Sequence, residues 1–215
     1  MTALIVGAGA GLSAALARKL AERGPVHLVA RGDRMAAVAA QTGAITHQAD
    51  ATDAAAIRDI IARLDRLDVA IYNPSARVRG PLVDLDPEEV RRAVEVTAFG
   101  AFLLGQAAAE KMLAQGRGTI LFTGASAGVK GFANSAPFAM GKFAQRGLAQ
   151  SMARELHPKG IHVAWINIDG AIATSAGSDA RLSPDAIAES YLHLIDQPPS
   201  AWSNELTLRP AVETF

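Results

Sequence analysis

The sequence predicts a doubly wound α/β fold, in which a mostly parallel sheet of about seven strands carries helices on both faces. Short β-branched or apolar runs alternate with longer helical patterns along almost the whole chain. Such alternation requires crossover connections, which are right-handed and bury the sheet between layers of helices. The chain has 215 residues, half of them hydrophobic, which suits one large α/β domain better than two small ones. We therefore expect residues 1–215 to form a single domain.

The strands are predicted where a short apolar run has the length of a buried strand. The first begins almost at the start of the sequence and the last is a short closing strand. The predicted strands are Ala3–Val6, Val26–Ala30, Ala44–Gln48, Asp68–Tyr72, Gly118–Thr123, Ile161–Ile168 and Glu205–Leu208.

Helices are predicted from the amphipathic and alanine-rich patterns between these strands. They are Leu12–Arg23, Met35–Thr42, Asp53–Leu64, Pro87–Val94, Ala98–Gln115, Pro137–Leu156 and Pro184–Ile195. Either Thr52 or Asp53 is the expected N-cap of the third helix, because both side chains can accept a hydrogen bond from a free backbone N–H group. Only a weak break separates the fourth helix from the fifth. The small and polar residues of Asp169–Ser183 suit either a lid over a site or an ordinary connection.

The composition narrows the classes of binding partner and the cellular compartment that we expect. Lysine plus arginine and aspartate plus glutamate number 21 each, so no global field draws the chain to nucleic acid or to an anionic membrane. Cysteine is absent, which excludes disulfides and thiolate metal sites, and we expect no metal. No targeting pattern is present, and the long helical patterns carry charges. We expect a cytoplasmic protein with a small-molecule substrate and no membrane or nucleic-acid partner.

A glycine-rich segment, Gly7-Ala8-Gly9-Ala10-Gly11-Leu12-Ser13, joins the first predicted strand to the first predicted helix. A dinucleotide pyrophosphate needs a tight turn, a backbone that it can approach closely, and the free N–H groups of a helix N-terminus. Glycines meet the first two needs, and the helix that begins near Leu12 meets the third. A structural turn also uses glycine, but this position in an alternating chain favours a Rossmann-type cofactor site.

Arg31 ends the second predicted strand, about 20 residues after Gly11, where the adenosine ribose lies in such a site. An acidic residue there binds the ribose hydroxyls of NAD, whereas an arginine pairs with the 2′-phosphate of NADP. Arg31, with Arg34 nearby, therefore favours NADP as the cofactor. Asp33 leaves NAD possible, and the alternative for Arg31 is a solvated side chain at a strand end.

These motifs together resemble the short-chain dehydrogenase/reductase family, from Ala3 to about Pro210. Gly7-x-x-x-Gly11-x-Ser13 is similar to that family's Gly-x-x-x-Gly-x-Gly turn, with serine in place of the last glycine. Asp50-Ala51-Thr52 matches its motif after the third strand, and Tyr72-Asn73-Pro74-Ser75 stands where relatives carry Asn-Asn-Ala-Gly. Asp169-Gly170-Ala171-Ile172-Ala173-Thr174 resembles the segment that contacts the nicotinamide carboxamide in relatives.

The resemblance implies a set of cofactor-binding residues. In relatives, the aspartate at the position of Asp50 contacts the adenine ring, and the lysine at that of Lys142 holds the nicotinamide ribose. The full set is Gly7, Ala10, Gly11, Leu12, Arg31, Asp50, Ala51, Asn73, Lys142, Gly170, Ile172 and Thr174.

The catalytic positions depart from the family pattern. Relatives use a tyrosine, one helical turn before the lysine, as general acid/base, and the charge of the lysine lowers the pKa of the tyrosine. Here the lysine is Lys142, but the tyrosine position holds Phe138, whose ring has no proton to give. The family's serine aligns with Ala125, one step from Ser126, and its asparagine aligns with Thr97. Lys142, Ser126 and Thr97 are therefore the candidate catalytic residues.

Each candidate also has a purely structural interpretation. Phe138 can be a packed aromatic side chain and Lys142 a surface lysine. Ser126 and Ser135 are residue types that often cap helices or lie in loops. Tyr191, in the last predicted helix, is expected in the core or in a subunit contact.

Two functions remain open at this point. The first is an oxidoreductase that moves a hydride between NADP(H) and a small carbonyl or activated alkene substrate. The alternative is a catalytically impaired NAD(P)-binding regulatory or sensor protein, since the phosphate-binding turn is kept while the catalytic set is not. The resemblance also implies a homodimer or homotetramer, made by packing helix pairs across a two-fold axis.

Overall fold

The computed structural model describes residues 1–173 and 180–213. Within these ranges a seven-stranded sheet runs through the molecule in the order β3-β2-β1-β4-β5-β6-β7, and every pairing is parallel. The strands are β1 Ala3–Val6, β2 Val26–Ala30, β3 Ile45–Gln48, β4 Val69–Tyr72, β5 Gly118–Thr123, β6 Ile161–Ile168 and β7 Glu205–Leu208. This confirms the predicted doubly wound fold, and the strand bounds agree to within one residue.

The central strands are buried on both faces of the sheet. Every residue of β1, β4 and β6 is buried, whereas β3 at one edge is mostly exposed. A parallel sheet covered on both sides needs continuous apolar strands rather than alternating ones. This is why the strands could be read as short unbroken apolar runs.

Seven α-helices in the described ranges form the two outer layers. They are α1 Leu12–Ala21, α2 Ala36–Thr42, α3 Ala54–Ala62, α4 Pro87–Val94, α5 Gly100–Gln115, α6 Ala136–Leu156 and α7 Pro184–Asp196. Leu16 and Leu20 of α1 pack with Tyr191 of α7 on one face of the sheet. Leu104 and Met112 of α5 belong to the apolar cluster on the opposite face.

Local signals explain two helix boundaries. The Asp53 carboxylate accepts a hydrogen bond from the backbone N–H of Ala56 at 3.0 Å, so Asp53 is the N-cap of α3 and Thr52 is not. The weak break expected before α5 is a π-helical turn, Glu95–Phe99, that joins α4 to α5 without an interruption. Such turns are rare overall but common near functional sites.

None of the helices described is both long enough and apolar enough to cross a membrane.

Candidate cofactor and active site

A cleft of about 1140 Å³ opens at the carboxyl ends of the central strands. β1 and β4 are neighbours there, although the chain reaches them through crossovers that lead to opposite sides of the sheet. In open α/β sheets, ligands bind at this switch point, outside the carboxyl ends of the strands. The fold therefore places the glycine-rich turn, the β4–α4 loop, the end of β5 and the start of α6 around one cavity.

The glycine-rich turn fits a pyrophosphate. Gly7 has φ +85°, and a Cβ atom there would lie 2.7 Å from the Pro74 ring, so only glycine suits this tight turn. A Cβ at Gly9 or Gly11 would meet no described atom within 4 Å, because both residues face the open cleft. Gly11 is the N-cap of α1 and offers no side-chain cap, so the first N–H groups of the helix stay available to an anion.

Ser13 stabilises this turn from beneath. Its buried hydroxyl donates to the carbonyl oxygen of Gly7 at 3.0 Å and accepts from the amide nitrogen of Asn73 at 2.6 Å. The backbone N–H of Asn73 donates in turn to Val6 at 3.0 Å. The serine that replaces the family's last glycine thus links the turn to the end of β4, a role that sequence reasoning did not assign.

Arg31 and Asp50 lie outside the walls of the cleft, at the ends of β2 and β3. The Arg31 side chain is 67% exposed, and its guanidinium is 4.0 Å from the Asp50 carboxylate. Asp50 accepts hydrogen bonds from the backbone and the hydroxyl of Thr52, at 3.0 and 2.8 Å. These bonds, with the charge of Arg31, hold the pKa of Asp50 below its usual value. The Arg31 guanidinium is thus exposed to solvent at the position where the adenosine ribose of the cofactor is expected.

Lys142 is buried, so the interpretation of Lys142 as a surface lysine is wrong. Its amine lines the cleft and donates to the Thr123 carbonyl at 2.5 Å and to the side-chain oxygen of Gln145 at 3.3 Å. Burial, together with the nearby charge of Arg77, lowers the pKa of Lys142 to about 7. An amine with this pKa can hold or release a proton near neutral pH.

Thr97 lies in the π-helical turn and is fully buried. Its hydroxyl accepts a hydrogen bond from the backbone N–H of Ala76 at 3.1 Å, and its carbonyl accepts from Gln145 at 3.2 Å. Thr97 therefore connects the β4–α4 loop to the residue that holds Lys142. Its predicted catalytic role stays a prediction.

Ser126 lines the cleft just after β5, next to the buried Ala125. Burial alone would raise the pKa of Asp169, but hydrogen bonding with Ser126 and the ion pair with Arg209 outweigh it and lower that pKa. Asp169 immediately precedes Gly170, so the candidate serine is linked to the segment expected at the nicotinamide.

Both tyrosine hydroxyls of the chain form hydrogen bonds in the protein interior. Tyr72 donates to the Val96 carbonyl at 2.5 Å, and Tyr191 pairs with the hydroxyl of Thr123 at 2.7 Å. Burial raises the pKa of both groups well above the ordinary value. Neither hydroxyl replaces the one that is missing at Phe138, and the expectation of a core role for Tyr191 is confirmed.

Arg77 and Arg79 are site residues that sequence reasoning missed. Both line the cleft from the β4–α4 loop, and the Arg77 guanidinium lies 4.6 Å from the centre of the Phe138 ring. Phe138 is buried, so the expectation of a packed aromatic side chain is confirmed. The available signal was the pair of arginines that closely follows Asn73-Pro74-Ser75.

The structure brings most of the predicted residues into one place. Ala10, Arg31, Asp50, Ala51 and Thr97 lie outside the cleft walls, while Thr174 is outside the described residues. The predicted residues that line the cleft are Gly7, Gly11, Leu12, Asn73, Ser126, Lys142, Gly170 and Ile172.

A parallel sheet of this order, with an open glycine turn at its switch point, defines a dinucleotide-binding α/β protein of the Rossmann type. The chain belongs to the short chain dehydrogenase family, whose family model matches residues 1–183.

Individual relatives agree with this assignment. A trans-4-hydroxycyclohexanecarboxylate dehydrogenase of Sinomonas cyclohexanicum is 34% identical over 178 residues, 75% of this chain and 68% of that protein. The crystal structure of a short-chain dehydrogenase from Rhodopseudomonas palustris has a TM-score of 0.88 and 35% identity, covering 97% of this chain and 98% of that one. A metagenomic short-chain oxidoreductase in complex with NADP has a TM-score of 0.88 and 29% identity, covering 99% and 98%.

Proposed function

We propose that the chain is an oxidoreductase that binds NADP(H) and reduces or forms a carbonyl group, or an activated alkene, on a small substrate. The observation that carries this proposal is the shared cleft. The open glycine turn and the buried Lys142 lie on the walls of one cavity of about 1140 Å³.

The residues present fit the cofactor. Gly9 and Gly11 leave room for the pyrophosphate at the N-terminus of α1, while Gly170 and Ile172 line the same cleft as Lys142. When bound, the dinucleotide supplies the hydride. The exposed Arg31 guanidinium supports a preference for the 2′-phosphate, and the NADP-bound relative supports the same choice; NAD remains the second cofactor to test.

Lys142 and Ser126 are the proposed catalytic groups. The pKa of Lys142 is about 7, so its amine can give or take a proton near neutral pH. Ser126 lines the cleft, and its hydroxyl can donate a hydrogen bond to a substrate oxygen once it rotates away from Asp169. Thr97 does not act on Lys142 or Ser126 directly, because its hydroxyl and its carbonyl form hydrogen bonds with Ala76 and Gln145.

A secondary alcohol or ketone on a small ring is the proposed substrate. The dehydrogenase of Sinomonas cyclohexanicum acts on a hydroxycyclohexanecarboxylate, as its name states. The part of the cleft lined by the β4–α4 loop and the start of α6, called the substrate half below, includes Phe132 and Phe138, whose apolar rings suit an alicyclic body of that size.

Phe138 favours a second candidate function, an NAD(P)-binding regulatory or sensor protein. General acid/base catalysis contributes roughly 10²–10⁴-fold to a rate, and no tyrosine hydroxyl faces the described cleft. A protein without that contribution can keep the cofactor site for binding alone.

A homodimer built on α5 and α6 is the proposed assembly. Phe99 and Phe102 stack with ring centres 6.0 Å apart at the start of α5, and both are exposed. Met140 and Phe143 are exposed on α6, which packs beside that turn. Large apolar side chains grouped on one face are typical of a contact between copies.

The test is a calorimetric titration with NADPH and, separately, NADH, followed by NADPH oxidation assays on a panel of aldehydes, ketones and activated alkenes. NADPH binding with turnover of one class supports the oxidoreductase. NADPH binding without turnover of any of them favours the sensor. Binding of neither cofactor overturns both proposals.

A further inference from the structure

We propose that Arg77 and Arg79 form an anion-binding site in the substrate half of the cleft, and that this site takes the carboxylate of a small carboxylate-bearing substrate. The inference rests on the proposed function, because it names the substrate class of the same cleft.

The loop that carries the two arginines is held at both ends. Before them, the backbone N–H of Ala76 donates to the buried Thr97 hydroxyl at 3.1 Å. After them, the backbone N–H of Gly80 donates to the carbonyl of Asn134 at 3.1 Å, which ties the loop to the segment that precedes α6. The arginines are thereby presented to the cleft by a positioned loop rather than by a free one.

Arg77 lies over the ring of Phe138, another residue of the cleft wall. Its guanidinium carbon is 4.6 Å from the centre of that ring, within the range of a cation–π contact. The N–H donors of a guanidinium lie in its plane and match the two oxygens of a carboxylate. A phenyl ring at position 138 thus gives Arg77 a platform and leaves its edge free for a ligand.

Within the described residues, no acidic side chain balances the positive charge of Arg77 and Arg79. Among residues 1–173 and 180–213, neither Arg77 nor Arg79 takes part in a salt bridge or a side-chain hydrogen bond, and no aspartate or glutamate lines the cleft. Burial and, after it, the charge of Arg79 lower the pKa of Arg77. A bound anion would relieve this repulsion.

The position of the pair favours the substrate over the cofactor phosphates. The pyrophosphate has its own cradle at the glycine turn, while the 2′-phosphate has Arg31 at the end of β2. Arg77 instead lies over Phe138 of α6, one helical turn from Lys142. Phe132 and Ile172 add apolar surface to the same cavity, so a carboxylate attached to a small apolar body fits this end.

The experiment compares benzoate with benzamide, which have nearly the same shape but differ in charge. Affinities are measured by ligand-observed NMR for the protein alone and for the protein saturated with NADP⁺. We expect benzoate to bind at least about tenfold more tightly than benzamide, as charge-assisted hydrogen bonds predict. Arg77→Ala and Arg79→Ala should each remove about tenfold of the benzoate affinity and leave that of benzamide unchanged. Arg77→Lys should recover only part of it.

Arg63→Ala is the matched control, because it removes an arginine from the outer surface of α3. Equal affinity for benzoate and benzamide would overturn the proposal, and so would variants that bind benzoate as the parent protein does. A loss of NADPH affinity in Arg77→Ala, with benzoate unaffected, would assign the arginine to the cofactor and also overturn it. A protein that binds no NADPH but still selects benzoate through Arg77 would disprove the proposed function and support the anion site.

Discussion

The amine of Lys142 donates a hydrogen bond to the backbone carbonyl of Thr123, with 2.5 Å between the two atoms. The bond crosses from α6 to the end of β5 and holds a titratable group inside the protein. Desolvation disfavours the charged form of such a group, and here it lowers the pKa from 10.5 to about 7.

This pKa predicts a pH dependence of stability. Between pH 7 and 10.5 the unfolded chain binds the Lys142 proton while the folded protein does not, so the free energy of unfolding rises with pH. The largest slope is about 1.4 kcal/mol per pH unit. Lys142→Met removes this contribution. Urea unfolding at several pH values above 7 should therefore show the parent protein gaining stability relative to the variant.

Lys159→Met is the control for that experiment, since the Lys159 side chain is 50% exposed and pairs with Glu155 on the surface. Its free energy of unfolding should follow that of the parent protein across the same pH range. A constant difference between Lys142→Met and the parent protein would show that Lys142 keeps its ordinary pKa.

Ser13→Ala should destabilise the glycine turn. The change removes the hydroxyl that bridges Gly7 and Asn73, and leaves the Asn73 amide without that acceptor. We expect a loss of about 1–3 kcal/mol in the free energy of unfolding, with weaker NADPH binding. A double-mutant cycle with Asn73→Ala, measured by urea unfolding, should give a coupling energy of at least about 0.5 kcal/mol. Strictly additive effects would disprove the bridge.

The sheet was predictable because its signals are local. Runs such as Ile161–Ile168 are apolar throughout, and a covered parallel strand needs nothing more specific. The glycine turn was predictable for the same reason, since Gly7, Gly9 and Gly11 follow β1 directly. Helix ends were less accurate: α1 stops at Ala21, before the predicted Arg23, where the chain approaches Gly24 with φ +147°.

The substrate half of the cleft could not be predicted in this way. Arg77 meets Phe138 only because the β4–α4 loop folds back over α6, and the contact joins residues far apart in the sequence. The burial of Lys142 likewise depends on Gln145, Thr123 and the strand beneath them. A spacing pattern identifies which helix carries the lysine, but desolvation is a property of the assembled core.

Arg31→Ala should change the cofactor preference. The exposed guanidinium is placed to pair with a 2′-phosphate, a group that NADPH has and NADH lacks. We expect NADPH affinity to fall about tenfold and NADH affinity to stay the same, measured by calorimetric titration. Arg63→Ala, which removes an exposed arginine at the end of α3, is the matched control. An equal loss for both cofactors would exclude a role at the 2′-phosphate.

Phe143→Asp should weaken the proposed dimer. Phe143 is 45% exposed on α6, which packs against the π-helical turn that carries the exposed Phe99. A carboxylate buried against apolar side chains of a second copy would lose its hydration without gaining a partner. Light scattering coupled to size exclusion should show a shift from dimer to monomer. Val83→Asp adds the same charge at a 90% exposed position and should leave the assembly unchanged. If both variants have the same oligomeric state, the exposed face of α6 is not the dimer contact.

Phe138→Tyr tests how much of the family's catalysis the cleft still supports. A hydroxyl at this position would lie one helical turn from Lys142, whose charge favours the ionised form of a tyrosine when the amine is protonated. General acid/base catalysis is worth roughly 10²–10⁴-fold, so we expect kcat for a reducible ketone to rise about 100-fold, with NADPH affinity unchanged.

Phe138→Leu provides the comparison, because it removes the ring under Arg77 without adding a proton donor. Its kcat should not rise, and its affinity for a carboxylate should fall as the arginine loses its platform. Initial rates of NADPH oxidation across pH separate the two effects: the tyrosine variant should gain a titrating limb that the leucine variant lacks. If the tyrosine leaves kcat unchanged, we infer that Arg77 blocks the path between position 138 and the reacting oxygen. The cleft then differs from that of relatives in the placement of this arginine as well as in the missing hydroxyl.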